Sequence, residues 1–302
     1  MRRILWLAGC AAILLVGGLL PGCQQNPLTG EKNLMLLSPQ EEVQLGREAA
    51  PGFEKEYGGR RKDEVLQTYV RTVGLKAAAQ AAKAAETGYP YEYTFTVLNS
   101  DVVNAFALPG GPIYITRGLL LKMDDESQLA AVLAHEVTHV AARHSAQQMS
   151  RSLGASFMLN LGVLLTSGGK SSETPTTTTT GNSKVETIAK VILALRNLQY
   201  SRKDETQADL YGVDFMTRAG WQPLGMVHLM QMFVAEEAAS GGGTIEFLRT
   251  HPNPKNRIAD IQNKMNKDYP AAAGDPRLAV ARDAYQKNVI TRLATQAAQP
   301  KK

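Results

Sequence analysis

The stretch Leu133-Ala134-His135-Glu136-Val137-Thr138-His139-Val140 decides how the rest of the chain is read. It spells H-E-x-x-H inside a run with helical character throughout. Residues four apart on a helix are rotated by only about 40°, so His135 and His139 project from one face, one above the other. Two imidazoles held that way suit a tetrahedral zinc ion, and Glu136 between them is placed to act as a base on water there. With five histidines in the whole chain, the pattern does not follow from abundance. His144, five residues past His139, lies about 140° away on a continuous helix and is expected to make a structural hydrogen bond rather than reach the metal. His228, within the apolar helix that follows Pro223, is expected in the core.

Two histidines leave a tetrahedral site incomplete. Both cysteines, Cys10 and Cys23, fall in the first 23 residues, so the remaining ligands must come from His, Asp or Glu. The long H-E-x-x-H motif with a glycine three residues on and a third histidine six residues on is excluded, because Ala142 and Ser145 stand there. A glutamate from a later helix is the alternative. In Glu205-Thr206-Gln207-Ala208-Asp209, Glu205 and Asp209 share a helix face. Glu205 is the expected third ligand, and Asp209 the expected acceptor for the far nitrogen of a ligand histidine, His135, whose tautomer it would fix.

At 302 residues and 44% apolar content the chain has ample material for a core. Its net charge is +5, or +3 without Arg2 and Arg3 (31 basic against 28 acidic residues), and no basic stripe is concentrated anywhere, so nucleic acid is not an expected partner. The first residues read as a leader. Arg2 and Arg3 precede the apolar run Ile4 to Leu20, and Leu20-Pro21-Gly22-Cys23 follows, similar to the processing site of a bacterial lipoprotein with Cys23 as the lipidated residue. Gln24 after it favours, by the same resemblance, the outer membrane of a Gram-negative cell. An uncleaved anchor of about 17 residues is the competing reading.

The expected organisation is a signal peptide over 1–22, an N-terminal tether and helix over 23–62, a metallopeptidase domain over 63–270 and a C-terminal helix and tail over 271–302. Residues 24–37 read as an extended tether with turns at Asn26-Pro27 and Thr29-Gly30. Ser38-Pro39-Gln40-Glu41 is a helix start with a capping box. A second helix follows from Asp63, with Val65, Leu66, Tyr69, Val70, Val73 and Leu75 available to one buried face. Three strands are expected at Tyr91–Leu98, Asn104–Leu108 and Ile113–Ile115, the last two joined by Pro109-Gly110-Gly111-Pro112, in a small antiparallel sheet with one strand as an open edge. Leu153–Leu165 reads as a buried helix or a hydrophobic flap, and 167–184 as a low-complexity loop.

Taken together, His135-Glu136-x-x-His139, the Tyr200-Ser201-Arg202…Glu205-x-x-Ala208-Asp209 block and His251-Pro252…Arg257 resemble the zinc metallopeptidases of the HtpX and CAAX prenyl protease kind. The nearest branch in pattern is that of bacterial envelope lipoproteases similar to LoiP, YcaL and the catalytic part of BepA. The resemblance, from about Asn26 to Met265, implies a gluzincin fold of the α+β class, mostly α-helical, with a small antiparallel sheet beside the active helix. It also implies one Zn2+ per chain held by His135, His139 and Glu205, with Glu136 as the base. Asn104-Ala105-Phe106-Ala107 resembles the gluzincin edge strand, in which Asn104 and Ala105 would meet the substrate backbone. His251 and Arg257 become candidates to stabilise the oxyanion. His251 is alternatively a reversible plug at the fourth zinc position, as in relatives, or a capping residue of its loop. The implied activity is endopeptidase action on misfolded or membrane-associated envelope proteins at the periplasmic face, with protein substrates, a membrane reached through Cys23 and outer-membrane assembly machinery as partners. A zinc-stabilised chaperone or assembly factor is the alternative. The multi-spanning helices of HtpX and the repeat domain of BepA have no counterpart in this pattern, which leaves their substrates and partners in doubt here.

Overall fold

The segment expected to be an extended tether is folded onto the domain. β1 (Cys23–Gln25) and β2 (Lys32–Leu34) form an antiparallel ribbon. Its turn is closed by the Asn26 side chain, which accepts from Leu28 N and Thr29 N at 2.9 and 3.2 Å. The same side chain donates to Ala142 O at 3.2 Å, and Leu36 N donates to Ser150 Oγ at 2.8 Å. The turn residues that read as linker punctuation therefore close a ribbon that buried acceptors hold in place. The computed structural model describes residues 23–85, 89, 91–152, 192–241 and 245–297, so the leader, the stretch Leu153–Leu165 and the loop 167–184 lie outside the described residues.

α1 (Pro39–Glu56) starts on the expected capping box, Ser38 Oγ accepting from Glu41 N and the Glu41 carboxylate accepting from Ser38 N. α2 (Glu64–Ala85) buries Leu66, Val70, Val73, Ala77 and Ala81, a stripe at intervals of three and four. Val65 and Leu75, expected on that face, fall off the stripe and are 51% and 45% exposed.

β3 (Thr94–Leu98), β4 (Ala105–Ala107) and β5 (Pro112–Thr116) form one small sheet, in the order β3-β5-β4. The sheet is mixed rather than antiparallel: β4 and β5 pair as the expected antiparallel hairpin, but β3 runs parallel to β5. The chain goes up, down and up again, and the third strand inserts between the first two, which sets the first and third side by side and parallel. β4 is left as an edge. Ile113 and Ile115 face the main core, and Tyr114 points through the other face into a smaller cluster with Phe53, Tyr57, Leu108, Leu198 and Tyr200 beneath α1.

α3 (Arg117–Leu120) leads to α4 (Glu126–Ala141), which carries the histidine pair and is buried without a break from Ser127 to Ala141. A helix apolar on all sides needs neighbours on all sides. They are α2, the sheet, α6 (Arg202–Arg218) and α7 (Leu224–Ala239), with residues 144–152, α5, continuing from its end. α6 comes closest at Gly212, where an added Cβ would stand 3.3 Å from His135 N and 2.9 Å from Met226 Cε. On α7, Met226, Val227, Leu229, Met230 and Phe233 are buried, but His228 takes the helix's exposed face, so it is not the core residue that its apolar neighbours led one to expect. α8 (Glu246–Thr250) and α9 (Pro254–Asp268) follow, and then a C-terminal helical run whose Arg292 forks onto Asp63 at 2.7 and 3.0 Å. Among the described residues no helix is long and apolar enough to cross a membrane.

Candidate metal centre and active site

Four side chains meet in one buried cluster: His135 and His139 from α4, Glu205 from the first turn of α6, and His251 at the end of α8. The entry of α6 is fixed by Ser201 and Asp204, which cap each other's backbone N–H. That box aims Glu205 back at α4.

The facing atoms are evenly spaced. His135 Nε2 lies 3.1 Å from His139 Nε2 and 3.2 Å from His251 Nδ1. His251 Nδ1 lies 2.9 Å from Glu205 Oε1, which is 3.5 Å from His139 Nε2, and Glu205 Oε2 is 3.7 Å from His135 Nε2. Ligands at 2.0–2.1 Å around a tetrahedral zinc stand about 3.3 Å apart, which is the centre of this range. The proton arrangement agrees with a cation there. His135 Nδ1 is 3.1 Å from Asp209 Oδ1, an acceptor, so its proton sits on Nδ1 and a bare lone pair on Nε2 points into the cluster. These residues fit a zinc ion.

Glu136 is fully buried, and neither carboxylate oxygen has a hydrogen-bond partner; His251 Nε2 is 3.5 Å from its Oε1. Burial pushes its pKa up, only partly offset by His251 and His135. Glu205 and Asp209 are just as buried, yet both are held below the usual carboxylate range: His251 and Arg257 outweigh desolvation at the first, and Arg257 does so at the second. The His251 pKa rises because Glu205 and Glu136 overcome its burial. That of His139 falls, through burial and the neighbouring His135.

Arg257, expected among the oxyanion donors, stands elsewhere. Its guanidinium forks onto Asp209 through Nε and Nη2, both at 2.6 Å, and its Nη1 is 2.6 Å from Glu205 Oε2. That last approach is an ion pair off the N–H axis, so Oε2 still accepts no hydrogen bond. The fork of Arg257 is seated on Asp209 behind the histidines, and its Nη1 lies between Glu205 and His251 O, the latter at 3.5 Å. It positions Asp209 and Glu205.

Asn104 precedes the edge strand, 5% exposed, donating from Nδ2 to Tyr57 Oη at 3.1 Å while its Oδ1 has no partner. Thr116 N bonds Asn104 O, and Leu108 N bonds Pro112 O, so by ladder alternation Ala105 and Ala107 turn their backbone groups to the open side. A partly open pocket connects Asn104 and Phe106 to Tyr200 and His251. Tyr200 lies against the His139 ring, centroids 3.9 Å apart, and its phenol meets Ser145 Oγ at 2.9 Å. Cys23 begins β1.

His144 stands outside the four-residue cluster and makes the structural hydrogen bond expected of it, but its partner is His139, Nδ1 to Nδ1 at 3.0 Å. The continuous helix assumed for it does not exist: the backbone breaks at Arg143, with φ 60°, and no glycine marks the place.

Two histidines and a glutamate on one buried helix, a second carboxylate brought to them by another helix and an edge strand alongside are the arrangement of a metallopeptidase. Comparison with known proteins agrees, the peptidase family M48 matching residues 64–265, and the chain belongs to that family. Curated relatives include the beta-barrel assembly-enhancing protease of Escherichia coli K12, 29% identical over 211 residues covering 69% of this chain and 40% of that protein. The mitochondrial metalloendopeptidase OMA1 of Schizosaccharomyces pombe is 27% identical over 268 residues, 86% of this chain and 72% of the relative. The OMA1 of Saccharomyces cerevisiae is 32% identical over 167 residues, 54% and 44% respectively. The chain thus spans two fifths of the length of the E. coli relative that it matches.

Proposed function

We propose that this chain is a zinc-dependent endopeptidase that hydrolyses misfolded or membrane-associated proteins of the bacterial envelope. The observation that carries it is the convergence of His135, His139, Glu205 and His251 around one point, with the unpartnered carboxylate of Glu136 beside it. His135, His139 and Glu205 would hold the zinc, with Asp209 and Arg257 orienting the set from behind. Bound there, zinc supplies a Lewis acid that polarises a peptide carbonyl and acidifies water. Glu136 takes the proton of the attacking water on a carboxylate oxygen and passes it to the nitrogen of the leaving amine. Its raised pKa suits it to hold that proton between the two transfers. An extended substrate would pair with the open side of β4 at Ala105, and Asn104 Oδ1 would accept from a substrate N–H. His251 fills the fourth corner, so it swings away for a substrate to enter, and from there it can donate to the oxyanion.

The leader and the role printed in the name of the E. coli relative support the rest of the reading: export, a lipid anchor at Cys23 on the periplasmic face of the outer membrane, and work alongside outer-membrane assembly. The test is cleavage of an unfolded protein by the purified chain, with and without chelator. One zinc per chain and loss of cleavage in Glu136→Gln with an unchanged fold are expected. Cleavage retained by that variant would sink the reading. The alternative, a zinc-stabilised assembly factor, draws on the same His251, which closes the site; rescue of envelope defects by Glu136→Gln would favour it.

A further inference from the structure

We propose that His144 and Gln207 form a second positioning relay that fixes the tautomer of the ligand His139, and that the helix break at Arg143 exists to place it. The inference rests on the zinc site described above and concerns residues outside its ligand set.

His139 Nδ1 and His144 Nδ1 are 3.0 Å apart, and His144 Nε2 is 3.0 Å from Gln207 Oε1. All of the His144 ring is buried. Two ring nitrogens at hydrogen-bond distance share one proton, so one of them donates and the other accepts. Gln207 settles which. An amide oxygen only accepts, and Asp204 Oδ1, 3.9 Å from the same nitrogen, also favours a proton there, so His144 carries its hydrogen on Nε2. His144 Nδ1 is then the bare acceptor, His139 donates from Nδ1, and the lone pair of His139 Nε2 is left facing the cluster. Asp209 imposes the same outcome on His135 from the other side. The two ligand histidines are therefore locked by two different devices, a carboxylate for one and a histidine–glutamine pair for the other. Gln207 and Asp209 both project from α6, the helix that delivers Glu205, so one element sets all three ligands.

His144 reaches back only because the chain leaves helical geometry for one residue. Arg143 adopts φ 60°, a left-handed conformation that strains a non-glycine residue. It is held there by three contacts from the N-terminal segment: Nε to Glu42 Oε1 at 2.6 Å, Nη1 to Gln24 Oε1 at 2.5 Å and Nη2 to Leu37 O at 2.6 Å. A glycine would adopt that backbone without strain but would supply none of these contacts.

The experiment measures zinc affinity of the full chain by chelator competition, the visible spectrum of the cobalt-substituted protein, and melting of the metal-free form, for wild type, His144→Phe, His144→Gln, Gln207→Leu and His139→Gln. His144→Phe keeps a flat ring and removes the acceptor, and zinc affinity should fall about 10–100-fold, the usual cost of losing a ligand's hydrogen-bond partner. His144→Gln offers its amide oxygen to His139 and should recover affinity to within about fivefold of wild type, together with the wild-type cobalt spectrum. Gln207→Leu, on a half-buried position, frees the His144 tautomer and should cost several-fold without lowering the metal-free melt. Wild-type affinity in both His144→Phe and Gln207→Leu overturns the relay. If His144→Phe fails to fold, unchanged affinity in Gln207→Leu alone overturns it. Absence of zinc binding in wild type, or full binding in His139→Gln, overturns the zinc site itself, an outcome distinct from failure of the relay.

Discussion

Arg257 gives the most demanding quantitative test. The residue is 5% exposed and its guanidinium faces two buried carboxylates, Asp209 at 2.6 Å through two nitrogens and Glu205 at 2.6 Å through the third. In the metal-free protein these two negative charges are balanced by Arg257, whose pKa both raise, and by His251, whose pKa Glu205 and Glu136 raise against its burial. Arg257→Met removes the fork while filling much of its volume. Breaking one partner out of a buried pair costs about 3–5 kcal/mol, because a charge is left unpaired in low dielectric. At about 2–4 °C per kcal/mol for a domain of this size, the chelated variant should melt roughly 6–20 °C below wild type. Zinc should recover part of the loss, since it neutralises Glu205 and leaves only Asp209 exposed to the change. The gap between chelated and zinc-loaded melting should therefore be wider in the variant than in wild type. Arg257→Lys keeps the charge without the planar fork and should fall between them. Calorimetry with and without chelator reads all of this. A chelated Arg257→Met protein melting within about 2 °C of wild type would refute the account of how the carboxylates are held.

Other perturbations separate the parts. Glu42 is a buried acid whose pKa burial raises to about 7 against the pull of Arg143 and Tyr91, so its folded pKa exceeds its ordinary 4.5. A raised acid contributes stability that is present below pH 4.5 and lost as pH climbs through 7; wild type should therefore lose ground to Glu42→Gln by up to about 3 kcal/mol over that window in denaturant titrations, and no pH-dependence in the difference would be a failure. At Gly212 an added Cβ meets Met226 Cε at 2.9 Å and the backbone His135 N at 3.3 Å, so Gly212→Ala should displace α6 slightly and weaken zinc binding a little, whereas Gly212→Val should push α6 off α4 and weaken it roughly tenfold by chelator competition. Asn104 keeps an unpartnered buried oxygen, so Asn104→Leu should leave stability unchanged or raised and increase KM about fivefold, the loss of one hydrogen bond; an unchanged KM removes Asn104 from the substrate site.

What could be read from the sequence was local. His135 with His139, and Glu205 with Asp209, each lie four apart, so a helix alone puts each pair on one face, and Ser38 announces a helix start by its capping box. What could not be read depends on which distant segment arrives where. The order β3-β5-β4 follows from a hairpin sliding back beside an earlier strand, and strand patterns carry no signal for that. His228 reads as core because its neighbours are apolar, yet one side of α7 stays uncovered, and that side is settled by what packs on α7.

Arg143 shows the same limit from the opposite direction. Left-handed backbone is ordinarily announced by glycine or asparagine, and its presence at an arginine means that surroundings outweigh the residue's own preference. Here the surroundings are Gln24, Leu37 and Glu42, more than a hundred residues upstream. An N-terminal segment that reads as a tether therefore holds the turn that returns His144 to His139. Loosening that segment should act first on the metal and only then on the fold: Glu42→Gln, which weakens the hold on Arg143, should lower zinc affinity more than it lowers the melting temperature of the chelated protein. A variant that melts early but binds zinc like wild type would separate the two and leave the segment a purely structural clasp.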